Sequence, residues 1–309
     1  MDQGKASPII DRWGWQTLDR DDVATIVHTS GTADRPKGAV LSHGNILANV
    51  ENMQHFVPVN HHDTFLSFLP LSHIYERTVS MFTAMAAGGT IAYAESPDNA
   101  PQYLSEIKPT LITGVPRLYE KWYAQIMESV EQSSPLKKRI FRWALKVGEE
   151  RHRHISQGPG WPVPPALEKK YLRARNFVFA KFHEQTGGKL RLMISGGASL
   201  HPKISRFFSA IGLPVLEVYV MTEGSSVIAC NPIHHIKPGT VGRPIPGTEV
   251  KLSDDGELLV KGPSIMTGYY KQPDETEKTV VNGWLHTGDI VQIDEEGYMR
   301  IVGQKKDLI

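Results

Sequence analysis

Short apolar runs alternate along most of the chain with segments whose apolar residues recur at helical spacing. TFLSFLP, GTIAYA, PTLITGVP, KLRLMISGG and PVLEVYVMTE are bounded by Gly, Pro or polar residues and predict strands. Between them, SHGNILANVENMQHF, RLYEKWYAQIMESV and HPKISRFFSAIG keep the 3.6-residue period and predict helices, the first with Ser42 as its N-cap. That alternation predicts an α/β fold with a largely parallel sheet flanked by helices. Ligands of such sheets sit beyond the carboxyl ends of the strands. After residue 239 the texture changes. TEVKLSDDGELLVKG and IVQIDEEGYMRIVGQ each read as a hairpin around an acidic-Gly turn, predicting a small β-rich subdomain joined through the Pro/Gly-rich KPGTVGRPIPG. The most membrane-like stretch, MFTAMAAGGTIAYA, is too short and glycine-rich to span a bilayer. It predicts a helix end turning into a buried strand.

Composition narrows the class. The 309 residues, 40% of them hydrophobic, suffice for one large domain or two ordinary ones. A formal charge of +1 argues against a general nucleic-acid binder. Cys230 is the single cysteine, so no internal disulfide can form. Together with a polar N-terminus broken by Pro and Gly, it predicts a cytoplasmic protein. Charge is uneven, however. Residues 137–182 hold 12 Lys and Arg against 3 Asp and Glu, which suggests a surface with a particular partner.

Candidate chemistry begins at HTSGTADRPKG, residues 28–38, which follows DDVATIVH, a segment that reads as a buried strand. Gly, Ser, Asp and Pro make surface turns everywhere, so a plain turn is one reading. The other is a phosphate cradle, in which glycines admit the ligand, hydroxyls and backbone N–H groups donate, and Lys37 neutralises charge. It is not a Walker A loop, because Lys37 precedes its glycine instead of following it. His234–His235 and the RHRH run at 151–154 invite a metal site, but no Cys or carboxylate is spaced to complete one.

Four further segments extend the pattern: FLPLSHIYERT, ending a strand in an exposed His73; LMISGGAS, ending one in paired glycines; VYVMTEGS, ending one in Thr222 and Glu223; and WLHTGDIVQIDEEGYMRIVGQKKDLI. In this order, beside the Thr-Ser-Gly-Thr…Pro-Lys-Gly loop, they give a sequence that resembles the AMP-forming acyl-CoA synthetases of the adenylate-forming superfamily from about Asp21 onward. The resemblance implies a two-step reaction. A carboxylate attacks the α-phosphate of ATP, releasing pyrophosphate and leaving an acyl-adenylate; the thiol of coenzyme A then displaces AMP to give a thioester. Such chemistry needs charge neutralisation and fixed in-line geometry more than a strong base.

By the same resemblance, Thr29, Ser30, Gly31, Thr32 and Lys37 match the loop for the β- and γ-phosphates. Glu223 matches the Mg²⁺-binding carboxylate, a hard ligand suited to that ion, and Thr222 a phosphate-contacting hydroxyl. Tyr219 matches the ring that stacks on adenine, against the alternative of plain core packing. Gly196, Gly197 and Ala198 match the wall between adenine and acyl sites. Asp289 matches the carboxylate on the ribose hydroxyls, against a simple turn-capping role. His73 matches the aromatic closing the acyl-carboxylate site, against a buried backbone contact.

Departures weaken the match locally. The family usually has Thr-Gly where Ala33 and Asp34 stand, glycine at Val220, and an arginine at Gln304, which here falls on the ribose-holding position. Each change removes a contact or adds bulk or repulsion, so reduced ATP affinity is expected. The resemblance divides the chain into a stub (1–20), an α/β nucleotide- and acyl-binding core (21–238) with a basic helical insert (131–186), a β-rich subdomain (239–303), and a hinge (304–309) in which Lys306 leads toward a C-terminal domain. It implies a central fragment, weakly active or inactive by itself. Long-chain fatty acyl-CoA synthetases usually carry such an insert, so a long- or medium-chain fatty acid is the expected substrate, with ATP, Mg²⁺ and coenzyme A. Leu167, Tyr171, Ala174 and Val178, at helical spacing beside Lys169, Lys170, Arg173 and Arg175, suggest peripheral contact with an anionic membrane; a solvated charged face over a core stripe is the alternative. Two other functions stay open: transfer of the acyl group to a carrier-protein thiol, and a catalytically silent nucleotide- or acyl-binding protein.

Overall fold

The computed structural model describes residues 17–29, 36–96, 99–157 and 161–307. Near its start, β1 (Val23–His28) pairs antiparallel with β2 (Gly38–Ser42), and β2 pairs on its other side with β12 (Gly268–Tyr269). β1 is not the buried strand its composition predicts. It is the edge of a three-stranded sheet, in which Val27 is buried while Val23, beyond a register shift between Val23 and Thr25, stays 58% exposed. The chain then enters α1 (His43–Met53). Ser42 caps it as predicted: its Oγ accepts from Asn45 N at 3.1 Å and Asn45 Oδ1 accepts from Ser42 N at 3.0 Å.

The central sheet contains β3 (Thr64–Ser67), β4 (Thr90–Tyr93), β5 (Leu111–Gly114), β6 (Leu192–Ser195), β7 (Val215–Met221), β8 (Ser226–Cys230) and β9 (Arg243–Pro244). Their order is β4-β3-β5-β6-β7-β8-β9, parallel from β4 through β7 and antiparallel beyond. Side chains alternate between two cores, as the pleat requires. Phe65, Leu111, Leu192, Ile194 and Leu216 face one side, with Met53 and Val79. Leu66, Ile112, Met193 and Val215 face the other, with Tyr119, Phe141 and Phe208. The predicted buried strand after MFTAMAAGG is β4, which is the sheet's edge and only half covered; Tyr93 is 57% exposed.

On the first face lie α1 and a π-helical segment, Glu76–Phe82, that runs into α2 (Thr83–Ala87). The second is covered by α3 (Ala100–Ile107), α4 (Pro116–Glu131), α5 (Pro135–Ser156), α6 (Pro165–Ala174), α7 (Ala180–Gln185) and α8 (Pro202–Ile211). α5 rests on α8 at Gly148, where an added Cβ would lie 2.1 Å from the Ala210 carbonyl oxygen. The apolar stripe of the basic insert is consumed here: Leu167, Tyr171 and Ala174 are buried and Val178 packs against them. That stripe is therefore core, and its lysines and arginines form a solvated face over it.

The remaining strands are β10 (Glu249–Leu252), β11 (Glu257–Lys261), β13 (Val280–Val281), β14 (Trp284–Ile293) and β15 (Met299–Gln304), with α9 (Pro273–Thr279) between β12 and β13. Both predicted hairpins are present, as β10–β11 and β14–β15, with Gly256 and Gly297 at φ of +82° and +81° in their turns. The segment after residue 239 supplies strands to all three sheets, because β9 joins the central one and β12 the smallest. Its core includes Tyr219, Ile228 and Ala229 of the central sheet. No described helix is long and apolar enough to cross a membrane.

Candidate functional site

The chemistry-bearing loops leave the carboxyl ends of the parallel strands. β6 runs out into Gly196, Gly197 and Ala198. A Cβ at Gly196 would lie 3.0 Å from both the Tyr75 ring and Val218, and Gly197 adopts φ +84°, so the small residues are a requirement of packing and backbone. Tyr75 is locked behind them by donating its hydroxyl to the carbonyls of Gly114 and Ile194, at 3.2 and 3.1 Å. His73 stands not on a strand end but in the loop between β3 and the π-helical segment, where its Nδ1 accepts from Tyr75 N at 3.1 Å. The ring remains exposed toward this end of the sheet, and partial desolvation lowers its pKa.

β7 ends in a 3₁₀ turn carrying Thr222 and buried Glu223. The turn is backbone-strained, with Ser225 and Ser226 at φ of 56° and 117°. It is held from three directions. Asn49 of α1 donates to the carbonyls of Gly224 and Val227, Thr78 donates to Ser225, and Met266 N donates to the Glu223 carbonyl. One carboxylate oxygen of Glu223 accepts from Tyr269 Oη at 2.7 Å; burial, and then the neighbouring Glu223 charge, raise that phenol's pKa. Lys37 Nζ sits 5.1 Å from the Tyr269 ring centroid and pairs with Glu275 of α9 at 2.5 Å. The hydrogen bonds from Lys37 and Lys278 pull the Glu275 carboxyl down to about 2. Tyr269 thus joins Lys37 to Glu223, which lie 186 positions apart in sequence.

Asp289 lies on β14 opposite Gln304 of β15. It accepts from Tyr219 Oη at 2.5 Å on one oxygen and from Gln304 Nε2 at 3.2 Å on the other. The Tyr219 ring is 6% exposed and packs in the core shared with the β-rich segment; burial, then Asp289, push its pKa well up. Glu223, four residues on, is close enough to add to that shift. The bend that presents Asp289 is pinned by Glu257, which accepts from Gly288 N at 2.9 Å, while Thr287 Oγ1 accepts from Asp289 N at 3.1 Å. Val220 sits at a bulge in the β7–β8 pairing and packs against the core.

The structure therefore gathers Lys37, Thr222 and Glu223 around one turn, Tyr219, Asp289 and Gln304 beside it, and Gly196 to Ala198 after the neighbouring strand β6, with His73 on the loop that leads into Tyr75. Thr29 is described, its N donating to the Lys37 carbonyl at 2.8 Å; Ser30, Gly31, Thr32, Ala33 and Asp34 lie outside the described residues. Tyr269, Glu275 and Asn49, which contact Glu223, Lys37 and the turn after Glu223 respectively, join the candidate site although the motifs did not single them out. The only sequence signal for the first two is the run GYYKQPDETEKT, polar enough to pass for loop. For Mg²⁺ the donor set fits: Glu223 keeps one oxygen without a protein donor among the described residues, and no described trio of His, Cys, Asp or Glu forms a closed metal cage. A single carboxylate is how Mg²⁺ is commonly held when substrate phosphates and water complete its shell.

Residues 8–270 match the AMP-binding enzyme family, and the chain belongs to it. It is 33% identical over 291 residues to the long-chain-fatty-acid–CoA ligase FadD15 of Mycobacterium tuberculosis, covering 93% of this chain and 47% of that protein. It is 36% identical to the peroxisomal long chain acyl-CoA synthetase 6 of Arabidopsis thaliana, covering 93% of this chain and 42% of that one. The crystal structure of ATP-bound MatB from Rhodopseudomonas palustris superposes with a TM-score of 0.68 at 28% identity, covering 94% of this chain and 50% of that one. The chain spans about half the length of the curated relatives it matches.

Proposed function

We propose that the chain carries the adenylating site of a fatty-acid–CoA ligase, using ATP, Mg²⁺ and coenzyme A. The observation that carries this reading is the convergence of Lys37, Glu223 and Tyr269 at the β7 terminus and of Tyr219, Asp289 and Gln304 beside it. Asp289, at the surface end of its bend, accepts the ribose hydroxyls. The ring of Tyr219 supports adenine, and the flat Gly196-Gly197-Ala198 edge leaves room for it. Lys37 and Thr222 meet the phosphates. Glu223 would hold Mg²⁺, which would supply charge neutralisation for the leaving pyrophosphate. The fatty-acid carboxylate attacks the α-phosphorus, the bond to the β-phosphate oxygen breaks, and pyrophosphate leaves. The thiol of coenzyme A then attacks the acyl carbonyl and AMP departs.

Pyrophosphate exchange into ATP that depends on palmitate tests the first step; calorimetry with Mg·ATP tests binding apart from turnover. No saturable nucleotide binding by the wild-type chain refutes the reading.

The long-chain assignment is supported by the basic insert and by the names of the relatives. Membrane-surface contact falls to a different stripe from the one at 167–178. On α5, Leu136, Ile140 and Trp143 recur at i, i+4, i+7 and are 67%, 42% and 45% exposed, beside Arg139, Arg142 and Lys146. An exposed apolar row with a tryptophan and a basic flank suits the interface of an anionic cytoplasmic membrane surface, where long-chain acids partition.

A further inference from the structure

Lys37, the one lysine of the candidate phosphate loop, is already occupied. Its Nζ lies 2.5 Å from Glu275 Oε2, across 238 residues of sequence. The contact is built into the fold. Tyr270 N donates to the Gly38 carbonyl at 2.8 Å, and β12 pairs with Ala39 and Val40, so the segment leading into α9 is stitched to the residues just after Lys37. The first turn of α9 then brings Glu275 to the lysine.

Two features make this pair exchangeable. The side chains are 25% and 35% exposed, so neither is trapped. Glu275 also pairs with Lys278 at 2.9 Å through its other oxygen, and so keeps a cation when it releases the first one. A carboxylate bound to the ammonium competes directly with any phosphate for it. A polyphosphate carries more charge than one carboxylate and can win that competition.

We propose that Glu275 is a positioning residue of the triphosphate site: it holds Lys37 while no polyphosphate is bound, yields it to the outer phosphates of ATP, and retakes it as pyrophosphate leaves. Glu275 thereby sets how tightly the site keeps polyphosphates, without touching them. The inference rests on reading Lys37 as a phosphate ligand.

Calorimetry with ATP, pyrophosphate and AMP in Mg²⁺ tests it on the wild-type chain and on Glu275→Gln, Glu275→Asp and Lys37→Ala. Glu275→Gln is expected to tighten ATP and pyrophosphate by about two- to fivefold, the scale of a part-exposed ion pair. The gain should shrink as salt screens the pair. AMP binding should not change, and Glu275→Asp should stay near wild type. Tightening of AMP by the same factor, or no tightening of ATP, overturns the proposal. If Lys37→Ala weakens ATP while Glu275→Gln does nothing, the exchange alone is refuted. If Lys37→Ala weakens neither ATP nor pyrophosphate, the phosphate role of Lys37 falls and the exchange falls with it.

Discussion

Replacing Asp289 with Ala separates nucleotide binding from fold stability. The carboxylate loses the hydroxyls it would accept from ribose, and charged hydrogen bonds of that kind contribute about 1–3 kcal/mol, or roughly five- to 150-fold in affinity. A second loss is internal. Tyr219, 6% exposed, would keep its hydroxyl with no acceptor at the position now 2.5 Å from Asp289. Leaving a buried donor unpaired costs about 1–3 kcal/mol of folding stability. The two effects come apart in the double variant Asp289→Ala, Tyr219→Phe, which removes the stranded hydroxyl but keeps the ring for adenine. Urea unfolding of this double variant should recover part of the lost stability, while calorimetry with Mg·ATP and with AMP should show both nucleotides still weakened. Equal affinity in Asp289→Ala and wild type, with the fold intact, would refute the ribose assignment. Recovery of affinity in the double variant would instead mean that Asp289→Ala weakens binding only through the stranded Tyr219 hydroxyl.

Burial lifts the Glu217 carboxyl to about 7 from an ordinary 4.5, outweighing the backbone donors Gly239 and Leu200. The folded state then binds the extra proton between those values, so stability should fall by a few kcal/mol as pH rises from about 4.5 through 7; Glu217→Gln, which retains an acceptor, should flatten that slope in unfolding curves taken across the range. Gly148→Ala should lower the urea midpoint despite a helix-propensity gain of about 1 kcal/mol, because its Cβ would meet the Ala210 carbonyl oxygen at 2.1 Å and backbone cannot yield cheaply; a raised midpoint would mean that α5 and α8 can separate at little cost. Trp143→Ala, on the exposed stripe of α5, should reduce cosedimentation with phosphatidylglycerol-containing vesicles and leave nucleotide affinity unaltered; unchanged cosedimentation would remove α5 from the membrane reading.

Period and punctuation determined the elements. The parallel strands of the central sheet, the cap at Ser42 and both hairpins follow from local residue choice, because an apolar run bounded by breakers or an acidic-Gly turn has few conformations open to it. The candidate-site residues could be picked out through their motifs for a related reason: Gly196 to Ala198, Thr222 and Glu223 follow the ends of β6 and β7, where chain direction and turn chemistry are local, while Tyr219 and Asp289 lie within strands. Burial was not legible. The segments at 23–28 and 90–93 look like interior strands but became sheet edges, and the Leu167–Val178 stripe that suits a membrane became core, since which face is covered depends on partners distant in sequence. The same distance hid Tyr269 and Glu275. Nothing in GYYKQPDETEKT announces a site; only the pairing of Gly268 and Tyr269 with β2 sets that phenol on Glu223 and that carboxylate on Lys37. Tertiary structure alone could decide this, because an ion pair between residues 37 and 275 has no signature until the chain has folded back on itself.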